Sequence, residues 1–465
     1  MEHVADLDQT ERDARSTLAT TLLGPLSERG VVGVATTFVD NSGVARVKSV
    51  PLERLPHLAA WGVGSSVSFD RFRFDDWIVG AGEGREAVGD LRMMPDVRRV
   101  VPLAAQPGWA WAPADRYAQD GSPHPQCGRL LLSSLVSALQ ASGITMKAAV
   151  EIEWVVSSAP GDDLVPGVSG PAYGMARLVD ASDYSRDVLT ALAESGVTVE
   201  QFHPEYAPGQ LELSVAPEDP VSAADTSVLV RTVIAGVGAR HGLRTSFSPK
   251  VAVPGVGNGG HVHVSLWRDG TNLMAGGAAE HFGLSPDGEA FAAGVLTHLP
   301  ALMAVGAPGV TSYLRHLPSH WAGTYACWGL ENREAAVRMV TGSPGASSSA
   351  ANIEVKCFDL HANPYLVFAG LIAAGLAGLS SSSRLPDPVD VDPAVLSADE
   401  LEARGVRLLP RTVTDAADAF EADPVVTSAF GSDLSASILA LRRSEAQLFD
   451  GVSDEDVAAS TRWQR

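Results

Sequence analysis

Five strand-like segments, widely separated along the chain, each place acidic or basic residues on one face. They begin at Glu151 (EIEWVV), Glu205 (EYAPGQLEL), His261 (HVHVSL), Glu334 (EAAVRMV) and Asn352 (NIEVKCF). Because side chains alternate along a strand with a period of two, each polar face is backed by an apolar one. If the polar faces line one cavity, carboxylates, imidazoles and guanidiniums meet there. That composition is typical of a site that binds metal ions and phosphates.

The alternation groups the polar side chains of three segments. The residues that share a face are Glu151 with Glu153, His261 with His263 and Ser265, and Glu354 with Lys356. Taken singly, each acid is better explained as the solvated face of an edge strand, because isolated exposed acids are common. A lone histidine is likewise more often structural. The recurrence of acids beside glycine turns and histidines in every segment favours one shared site.

The composition is typical of a globular chain that binds small molecules. The chain has 465 residues, 45% apolar and 19% charged, which is enough for two or more domains with large cores. Its formal net charge is −21, whereas nucleic acids and anionic membranes are bound by clustered cations. We therefore expect neither nucleic acid nor a membrane among its partners.

The cysteines and the N-terminal segment predict a cytoplasmic location. Cys127, Cys327 and Cys357 show neither the spacing of metal ligands nor a disulfide framework. The segment MEHVADLDQTERDARS lacks the charged-then-apolar pattern of a secretory signal. The longest apolar stretch, 366–379, is too short to span a bilayer and predicts a core helix.

Turn signals divide the chain into a small first unit and a large second one. Residues 1 to about 17 read as a solvated lead-in, and the segment 31–51 reads as a hairpin around Asp40-Asn41-Ser42-Gly43. More short strands follow to about residue 111, and the Pro-, Asp- and Gly-rich segment 112–127 predicts a boundary.

The second unit mixes helices with strands. Three predicted helices end where a glycine suits the C′ position, at Gly143, Gly196 and Gly242. Asn363-Pro364 predicts the start of a fourth helix, since proline is tolerated in the first turn. The tail after Ser380 is Asp-rich and then helical from about residue 413, and we expect it to be peripheral.

A glycine-rich loop, GVGNGG at 255–260, matches the string G-x-G-x-x-G. A dinucleotide fingerprint requires a helix after the loop, but here the strand-like HVHVSL follows. The loop is therefore either a tight turn or a flexible loop that brings backbone close to a ligand.

Three arginines lie among the acidic segments. Singly, Arg315, Arg333 and Arg338 are each explained as surface residues. Grouped between acidic strands they need anionic partners, and carboxylates and phosphates are what the guanidinium fork binds in bidentate fashion.

The chain resembles the glutamine synthetase family, type I-like branch, in an ordered series of strings. They run from about residue 31 to about 431 and are VKSVP, MMPD, EIEW, the GQLE segment, SFSPK, GNGGHVHVSLW, DGTNL, TSYLR, ENREAAVR, IEVK and HANPYL. The resemblance implies an α+β fold with an N-terminal β-grasp domain at 18–112. It also implies a catalytic domain at 118–465, built as an open α/β barrel with a funnel-shaped site.

The resemblance also implies site residues. Metal ligands are implied at Glu153, Glu205 and Glu212 and, beside the ATP phosphates, at Glu151, His261 and Glu354. Glutamate contacts are implied at Glu153, Gly257, His261, Arg315, Arg333 and Lys356, and ATP contacts at Glu200, His263, Ser265 and Arg338. Arg333 and Arg338 are the expected catalytic residues. The implied cofactor is Mg2+ or Mn2+, two or more per subunit, with ATP as co-substrate. The implied assembly is a homo-oligomer, a dodecamer of two stacked hexameric rings.

Two departures from the family concern the nucleophile. Ammonia-using members hold ammonium with two acids, and this chain aligns Trp321 and Val63 with them. An indole and an aliphatic group in place of carboxylates predict an organic amine as nucleophile. Loss of the acids favours a short amine with a neutral tail such as ethanolamine, whereas cation–π attraction to Trp321 favours a polyamine. We expect Trp321 and Val63 to border the amine pocket.

Further departures leave alternatives open. Lys356 replaces an arginine that contacts substrate, Asn352 replaces one near the nucleotide, and no tyrosine follows Tyr365, so the adenylylation site of regulated members is absent. Glu331 and His320 are candidate bases for the amine, or merely line the loop. The expected function is an ATP-dependent glutamate–amine ligase acting through γ-glutamyl phosphate. The alternatives are an ammonia-using glutamine synthetase and a non-catalytic oligomeric member.

Overall fold

The computed structural model describes residues 7–80, 88–277 and 281–464. Strands in these ranges are β1 (Gly33–Val39), β2 (Ala45–Pro51), β3 (Val63–Ser66), β4 (Asp90–Pro95), β5 (Val101–Pro102), β6 (Trp109–Ala118), β7 (Thr145–Val150), β8 (Ile152–Ser157), β9 (Val199–Pro204), β10 (Gln210–Val215), β11 (Arg244–Ser246), β12 (Val262–Arg268), β13 (Thr271–Asn272), β14 (Tyr325–Leu330), β15 (Ala335–Val340), β16 (Asn352–Val355) and β17 (Arg407–Leu408).

The α-helices of the same ranges are α1 (Gln9–Glu28), α2 (Leu55–Trp61), α3 (Gly128–Ala141), α4 (Met175–Asp180), α5 (Ser182–Glu194), α6 (Pro220–Arg240), α7 (Pro286–Gly306), α8 (Val310–Arg315), α9 (Ser347–Ala350), α10 (Pro364–Ser381), α11 (Ala398–Ala403), α12 (Val413–Ala422), α13 (Pro424–Phe430), α14 (Ser432–Leu448) and α15 (Asp454–Thr461).

The first sheet has the strand order β2-β1-β6-β4-β3, with β5 paired to β6. β1 and β6 are parallel, and the other pairs are antiparallel. The predicted hairpin is confirmed, because β1 and β2 pair around the turn at 40–44. Helices α1 and α2 cover this sheet with a core that includes Ala19, Leu26, Leu55 and Leu58. Helix and mixed sheet together form the expected β-rich N-terminal unit.

Two predictions about this unit differ from the structure in part, although residues 8–18 are largely exposed as the lead-in prediction requires. The predicted lead-in is helical from Gln9, because the Asp8 side chain accepts the Glu11 N–H at 2.8 Å and Leu26 buries the helix against the sheet. The predicted boundary at 112 falls inside β6. That strand runs on because it pairs with β1 on one side and β4 on the other, and buried Asp115 is held by Arg129 at 2.9 Å.

Two further sheets form an open, barrel-like wall. One has the order β11-β8-β10-β9, and the other has the order β13-β12-β16-β15-β14-β17 with β7 paired to β12. The chain passes from one sheet to the other at Glu151, which lies between β7 and β8 and donates its backbone N–H to the His261 carbonyl at 2.8 Å. The predicted polar faces of both sheets therefore meet at this junction, as the α+β barrel fold requires.

The predicted helix ends are confirmed in this part of the chain. Helices α3, α5 and α6 end just before Gly143, Gly196 and Gly242, whose φ angles are 76°, 81° and 67°. Only glycine adopts this left-handed conformation without strain. The Asn363 side chain caps α10 by accepting the N–H groups of Tyr365 and Leu366.

Three helices within the described ranges, α6, α7 and α10, are long and apolar enough to cross a membrane by length and composition alone. Between 72% and 78% of their apolar windows is buried inside the protein, so the core accounts for their composition. α7 and α10 pack closely, since a Cβ at Gly294 would lie 2.8 Å from Gly378. The tail was expected to be peripheral, and this prediction is wrong: Phe420, Leu434 and Ile438 are fully buried in the same core.

Candidate active site

A cavity of ≈ 730 Å³ opens where the two barrel sheets meet. Its wall consists of strand faces, the glycine loop and the turn before β15. Predicted site residues that line it are Glu151, Glu153, Glu205, Glu212, Gly257, His261, Arg315, Trp321, Arg333, Arg338 and Lys356. The alternation predicted from the sequence explains this arrangement, because Ile152 and Trp154 on the opposite face of β8 are fully buried.

Three carboxylates crowd one side of the cavity. Glu153 on β8 and Glu212 on β10 are register partners, and Glu205 follows β9. Burial, and then the charges of Glu153, Glu151 and Glu205, raise the pKa of Glu212 to about 10. Burial also raises the pKa of Glu205, whose Oε1 accepts the Tyr173 hydroxyl at 3.1 Å while its buried Oε2 has no described partner.

A second group lies at the junction of the sheets. Glu151 Oε2 is 2.8 Å from His261 Nδ1, and Glu151 Oε1 is 3.1 Å from His263 Nε2. His261 Nδ1 is also 3.4 Å from Glu354 Oε1 on the neighbouring strand β16. These two carboxylates and two imidazoles form one connected cluster.

Electrostatics keep the acids of this second group ionised. Burial acts to raise the pKa of Glu151, but hydrogen bonds from His261 and His263 hold it well below its usual value. Burial likewise opposes ionisation of Glu354, but Lys356, His263 and His261 lower its pKa to about 2. For His263, the hydrogen bond and charge of Glu151 outweigh burial and raise the pKa to about 9.

Cationic side chains border the same cluster. Glu354 accepts hydrogen bonds from Arg338 Nη1 at 2.9 Å and from Lys356 Nζ at 3.0 Å. Arg315, which ends α8, places Nη2 3.1 Å from His261 Nε2. Arg333 lines the cavity from the turn before β15. This concentration of positive charge beside carboxylates is suited to an anionic substrate such as a phosphate or a carboxylate.

The glycine loop fits closely under the site. A Cβ on Gly259 would lie 2.6 Å from Glu153 Oε1 and would also collide with His261 Nε2. A Cβ on Gly257 would lie 2.6 Å from the Arg315 side chain. The loop leads directly into strand β12 and not into a helix, so the expectation that it is no dinucleotide fingerprint is confirmed.

The segment Ser319–Trp321 forms one rim of the cavity. Ser319 and Trp321 have φ angles of 59° and 55°, a left-handed conformation that non-glycine residues seldom adopt. The Trp321 side chain is exposed, and its backbone N–H donates to Glu334 Oε1 at 2.7 Å. His320, a candidate base, lines the cavity, whereas Glu331 is paired with Arg338.

Five predicted site residues do not line the cavity. Val63 is partly buried against the core of the N-terminal unit, and Glu200 is exposed on β9 on the face opposite the cavity-lining His203. Ser265 is buried and accepts the Trp267 indole N–H at 2.9 Å. His263 and Glu354 lie behind the cavity surface, within the cluster around Glu151. Within this chain, Val63 and Glu200 are therefore separate from the site.

Sequence reasoning missed several cavity residues, and three of them make contacts with the predicted acids. Gln210 donates to Glu153 Oε2 at 3.0 Å and to the Gly257 carbonyl at 3.0 Å, so it joins the acids to the glycine loop. His203 and Tyr173 lie beside Glu212 and Glu205. His203 alternates with Gln201 and Glu205 along one strand face, so the period-two pattern could have found it. Tyr173 lies in an irregular loop and gave no pattern.

The donor set fits divalent cations. Ligand atoms of Glu151, His263 and Glu354 lie within 4.8 Å of one another, as do those of His203, Glu205 and Glu212. Oxygen-rich groups of this kind suit Mg2+ and Mn2+. The orphaned Glu205 Oε2 and the crowding that raises the Glu212 pKa are what a bound cation would relieve. The predicted ligands Glu153 and His261 border these two groups, with His261 Nε2 3.8 Å from Glu153 Oε1.

Comparisons with known proteins agree with this geometry. Residues 125–458 match the family of the glutamine synthetase catalytic domain. The chain is 55% identical over 449 residues, 96% of each chain, to a gamma-glutamylpolyamine synthetase of Streptomyces coelicolor. It is 29% identical over 91% of its length to a glutamine synthetase of Methanosarcina mazei, of which it covers 93%.

Solved structures show the same architecture. A crystal structure of a glutamine synthase homolog is 33% identical with a TM-score of 0.83, and covers 94% of this chain and 99% of its own. A GmaS/ADP complex is 27% identical with a TM-score of 0.80, and covers 95% of this chain and 99% of its own. The fold, the acid-lined cavity and the sequence matches together establish that the chain belongs to the glutamine synthetase family and is a ligase of the glutamine synthetase type.

Proposed function

We propose that the chain joins the γ-carboxylate of glutamate to an amino group of a polyamine, with ATP as the source of the phosphoryl group. The sequence left ethanolamine and polyamines open. The observation that carries the choice is the 55% identity, over 96% of each chain, to a protein named as a gamma-glutamylpolyamine synthetase. Family members depend on ATP and divalent metal ions in general.

The rim of the cavity supports an organic amine. Trp321 presents an exposed indole there, and Tyr206 and Tyr173 also line the cavity. Aromatic faces attract alkylammonium groups and tolerate the apolar chain between them. A cavity lined by three aromatic residues suits an alkylamine better than a small hydrated ammonium ion.

The residues of the cavity divide into roles for this reaction. We assign Arg315, Arg333 and the glycine loop to the carboxylates of glutamate and Arg338 to the transferred phosphoryl group; this assignment is supported by their shared position on the cavity wall. Divalent cations would be held by Glu151, His263 and Glu354 and by His203, Glu205 and Glu212, with Glu153 and His261 alongside. Bound there, the cations would neutralise charge on the phosphates. We propose two such cations per subunit.

The proposed acceptor-activating group is His320. It lies on the cavity rim beside Trp321, whereas the Glu331 carboxylate is occupied by Arg338. An imidazole at this rim is a candidate to accept the proton that the attacking amine must lose.

Phosphate release tests the proposal. The full-length protein is incubated with glutamate, ATP and Mg2+, and with putrescine, spermidine, ethanolamine or ammonium in separate reactions. We expect the largest kcat/KM with putrescine or spermidine. Turnover with ammonium and with none of the organic amines would overturn the proposal in favour of an ordinary glutamine synthetase. A preference for ethanolamine would overturn the choice of a polyamine as the substrate.

Assembly and location are part of the same proposal. We propose that copies of the chain associate into a ring-based oligomer, a dodecamer of two hexagonal layers, in the cytoplasm. Exposed apolar side chains on the N-terminal unit, among them Val47 of the edge strand β2 and Trp109, support association. The three free, buried cysteines suit a reducing compartment. Light scattering of the purified protein measures the number of chains.

A further inference from the structure

A buried carboxylate beneath the cavity rim takes no part in the proposed glutamate–amine ligation. Glu334 lies in the turn before β15 and is only 6% exposed. Its Oε1 accepts the Trp321 N–H at 2.7 Å, whereas its Oε2 is buried and has no hydrogen-bond partner among the described residues. An unpaired buried carboxylate oxygen is costly, so its lone pairs indicate a place for a donor that the protein does not supply.

A second acid lies on the other side of the same rim segment. Asp392 Oδ2 accepts the Ser319 hydroxyl at 2.7 Å, and Oδ1 accepts the Ala394 N–H at 2.9 Å. Burial and the charge of Asp392 raise the pKa of Glu334 and outweigh the N–H groups of Trp321 and Ser319 and the charge of His320, which act to lower it. Asp392 and Glu334 bind residues only two positions apart in the rim segment.

Among the described residues, no arginine or lysine forms an ion pair with these two acids, and the basic group that acts on Glu334 is His320. The ion pairs adjacent in sequence join Glu331 to Arg338 and Asp390 to Arg404. The partners of Glu334 and Asp392 are instead backbone N–H groups and a hydroxyl. Two acids that bind the cavity rim, with one imidazole as the basic group acting on Glu334, favour a cationic ligand.

The rim segment between the two acids is positioned by them. Ser319 and Trp321 hold left-handed φ angles, and Asp392 and Glu334 bind these same two residues. Strained backbone of this kind persists where surrounding contacts fix it, and it is common at ligand sites. The result is an exposed indole on a rim segment whose backbone is held by a buried acid.

We propose that Glu334, assisted by Asp392 and by the ring of Trp321, binds the second ammonium group of a diamine or polyamine. The inference rests on the proposed function, because it concerns the end of the amine that does not react. It assigns amine specificity to Glu334: an acceptor with a second positive charge is preferred over a monoamine of equal length. Charge-assisted hydrogen bonds and cation–π contact supply the preference.

The test compares two acceptors that differ only in the second ammonium, putrescine and n-butylamine. Glu334→Gln keeps a carbonyl oxygen to accept the Trp321 N–H and removes the charge. We expect the ratio of kcat/KM for putrescine to that for n-butylamine to fall about 10- to 100-fold, mainly through the KM for putrescine. Calorimetric titration of the variant with putrescine should show a matching loss of affinity.

Matched variants separate recognition from structure. Asp390→Asn removes the same charge two residues from Asp392, at an exposed carboxylate paired with Arg404, and should leave the ratio as in the parent. Asp392→Asn should lower the ratio by a smaller factor, and it provides the test if Glu334→Gln does not fold. Glu334→Leu removes the contact to Trp321 as well and should impair both acceptors.

Two outcomes would overturn the inference. An unchanged ratio in Glu334→Gln and Asp392→Asn, with putrescine still used by the parent, would reduce Glu334 to a support for the rim. An equal fall of the ratio in Asp390→Asn would show that the effect comes from the overall negative charge of this region and not from Glu334 itself. Failure of the proposed function is distinct, since the parent protein would then use neither putrescine nor n-butylamine.

Discussion

Glu153 on β8 and Glu212 on β10 stand directly opposite each other as register partners of antiparallel strands. Like charges in this position destabilise a sheet. Burial and the neighbouring acids raise the pKa of Glu212 to about 10, which records that cost. The fold therefore maintains a group of acids that favours cation binding at the expense of its own stability.

Glu212→Gln should make the metal-free protein more stable than the metal-free parent, and it should reduce the stabilisation that bound metal provides. Because the folded, metal-free protein raises the pKa of Glu212 to about 10, folding at neutral pH requires this carboxyl to take up a proton, which costs stability. Glu212→Gln removes that cost, so the melting temperature in EDTA should rise. The increase in melting temperature that Mg2+ produces in the parent should shrink, because a ligand is lost. Thermal unfolding with EDTA and with Mg2+ measures both effects. Glu402→Gln, at an exposed acid of α11, is the control, and a lower melting temperature in EDTA for Glu212→Gln would contradict the account.

Gly259→Ala should impair catalysis without unfolding the protein. The new methyl group would lie 2.6 Å from Glu153 Oε1 and against His261, so both side chains must move. We expect kcat to fall by about tenfold or more, since a displacement of about 1 Å in an active site can lower the rate about a hundredfold. Gly24→Ala in α1, where no atom lies within 4 Å of an added Cβ, is the control. Parent-like kcat in Gly259→Ala would show that the loop does not need this close approach.

Trp321→Glu should shift acceptor preference toward ammonium. An acid at this rim would supply the negative charge that a small cation needs and would remove the aromatic face that suits an alkyl chain. We expect the ratio of kcat/KM for ammonium to that for putrescine to rise about tenfold, a change equivalent to about 1.4 kcal/mol. Leu317→Glu adds the same charge at an exposed position four residues earlier and is the control. An acceptor ranking identical to the parent's would show that Trp321 does not border the amine.

Acid should destabilise the N-terminal unit through Asp70. This buried carboxylate pairs with Arg116 and lies 2.7 Å from His124 Nε2. Burial opposes ionisation, but the charge of Arg116 and the contacts to His124 lower the pKa of Asp70 below 3.8. A carboxyl whose pKa is lower in the folded than in the unfolded state stabilises the folded protein at pH values above its unfolded-state pKa. This stabilisation is lost as the pH falls through the folded-state pKa.

The matching variant is Asp70→Asn. At pH 7 it should lower the free energy of unfolding by about 3–5 kcal/mol, because Arg116 is left buried without its charged partner. Its stability should then change less than the parent's between pH 5 and 2. Denaturant unfolding at several pH values checks this. Parallel pH profiles for parent and variant would show that another group controls acid stability.

The sequence was sufficient where local pattern and tertiary structure agree. Alternation along EIEWVV and HVHVSL placed Glu151, Glu153 and His261 on the cavity side, and glycines marked the helix ends. These features depend on the period of a strand or on the φ of one residue, and both are visible locally.

The rest depended on contacts between distant segments. Pro113 and Asp115 resemble linker residues, yet Asp115 is buried because Arg129 pairs with it. Helix α1 has few buried positions, so its periodicity is weak. The partner of Trp321 is Glu334, thirteen residues along the chain, and no period relates them. The placement of Val63 against the N-terminal core also follows from packing that alignment cannot show.

Product analysis in a competition tests the central claim most directly. The full-length protein receives glutamate, ATP, Mg2+, and equal concentrations of ammonium, ethanolamine and putrescine in one reaction, and the products are identified by mass spectrometry. We predict γ-glutamylputrescine as the main product, formed in proportion to released phosphate. Glutamine as the main product, or phosphate release without any γ-glutamyl amide, would contradict the account.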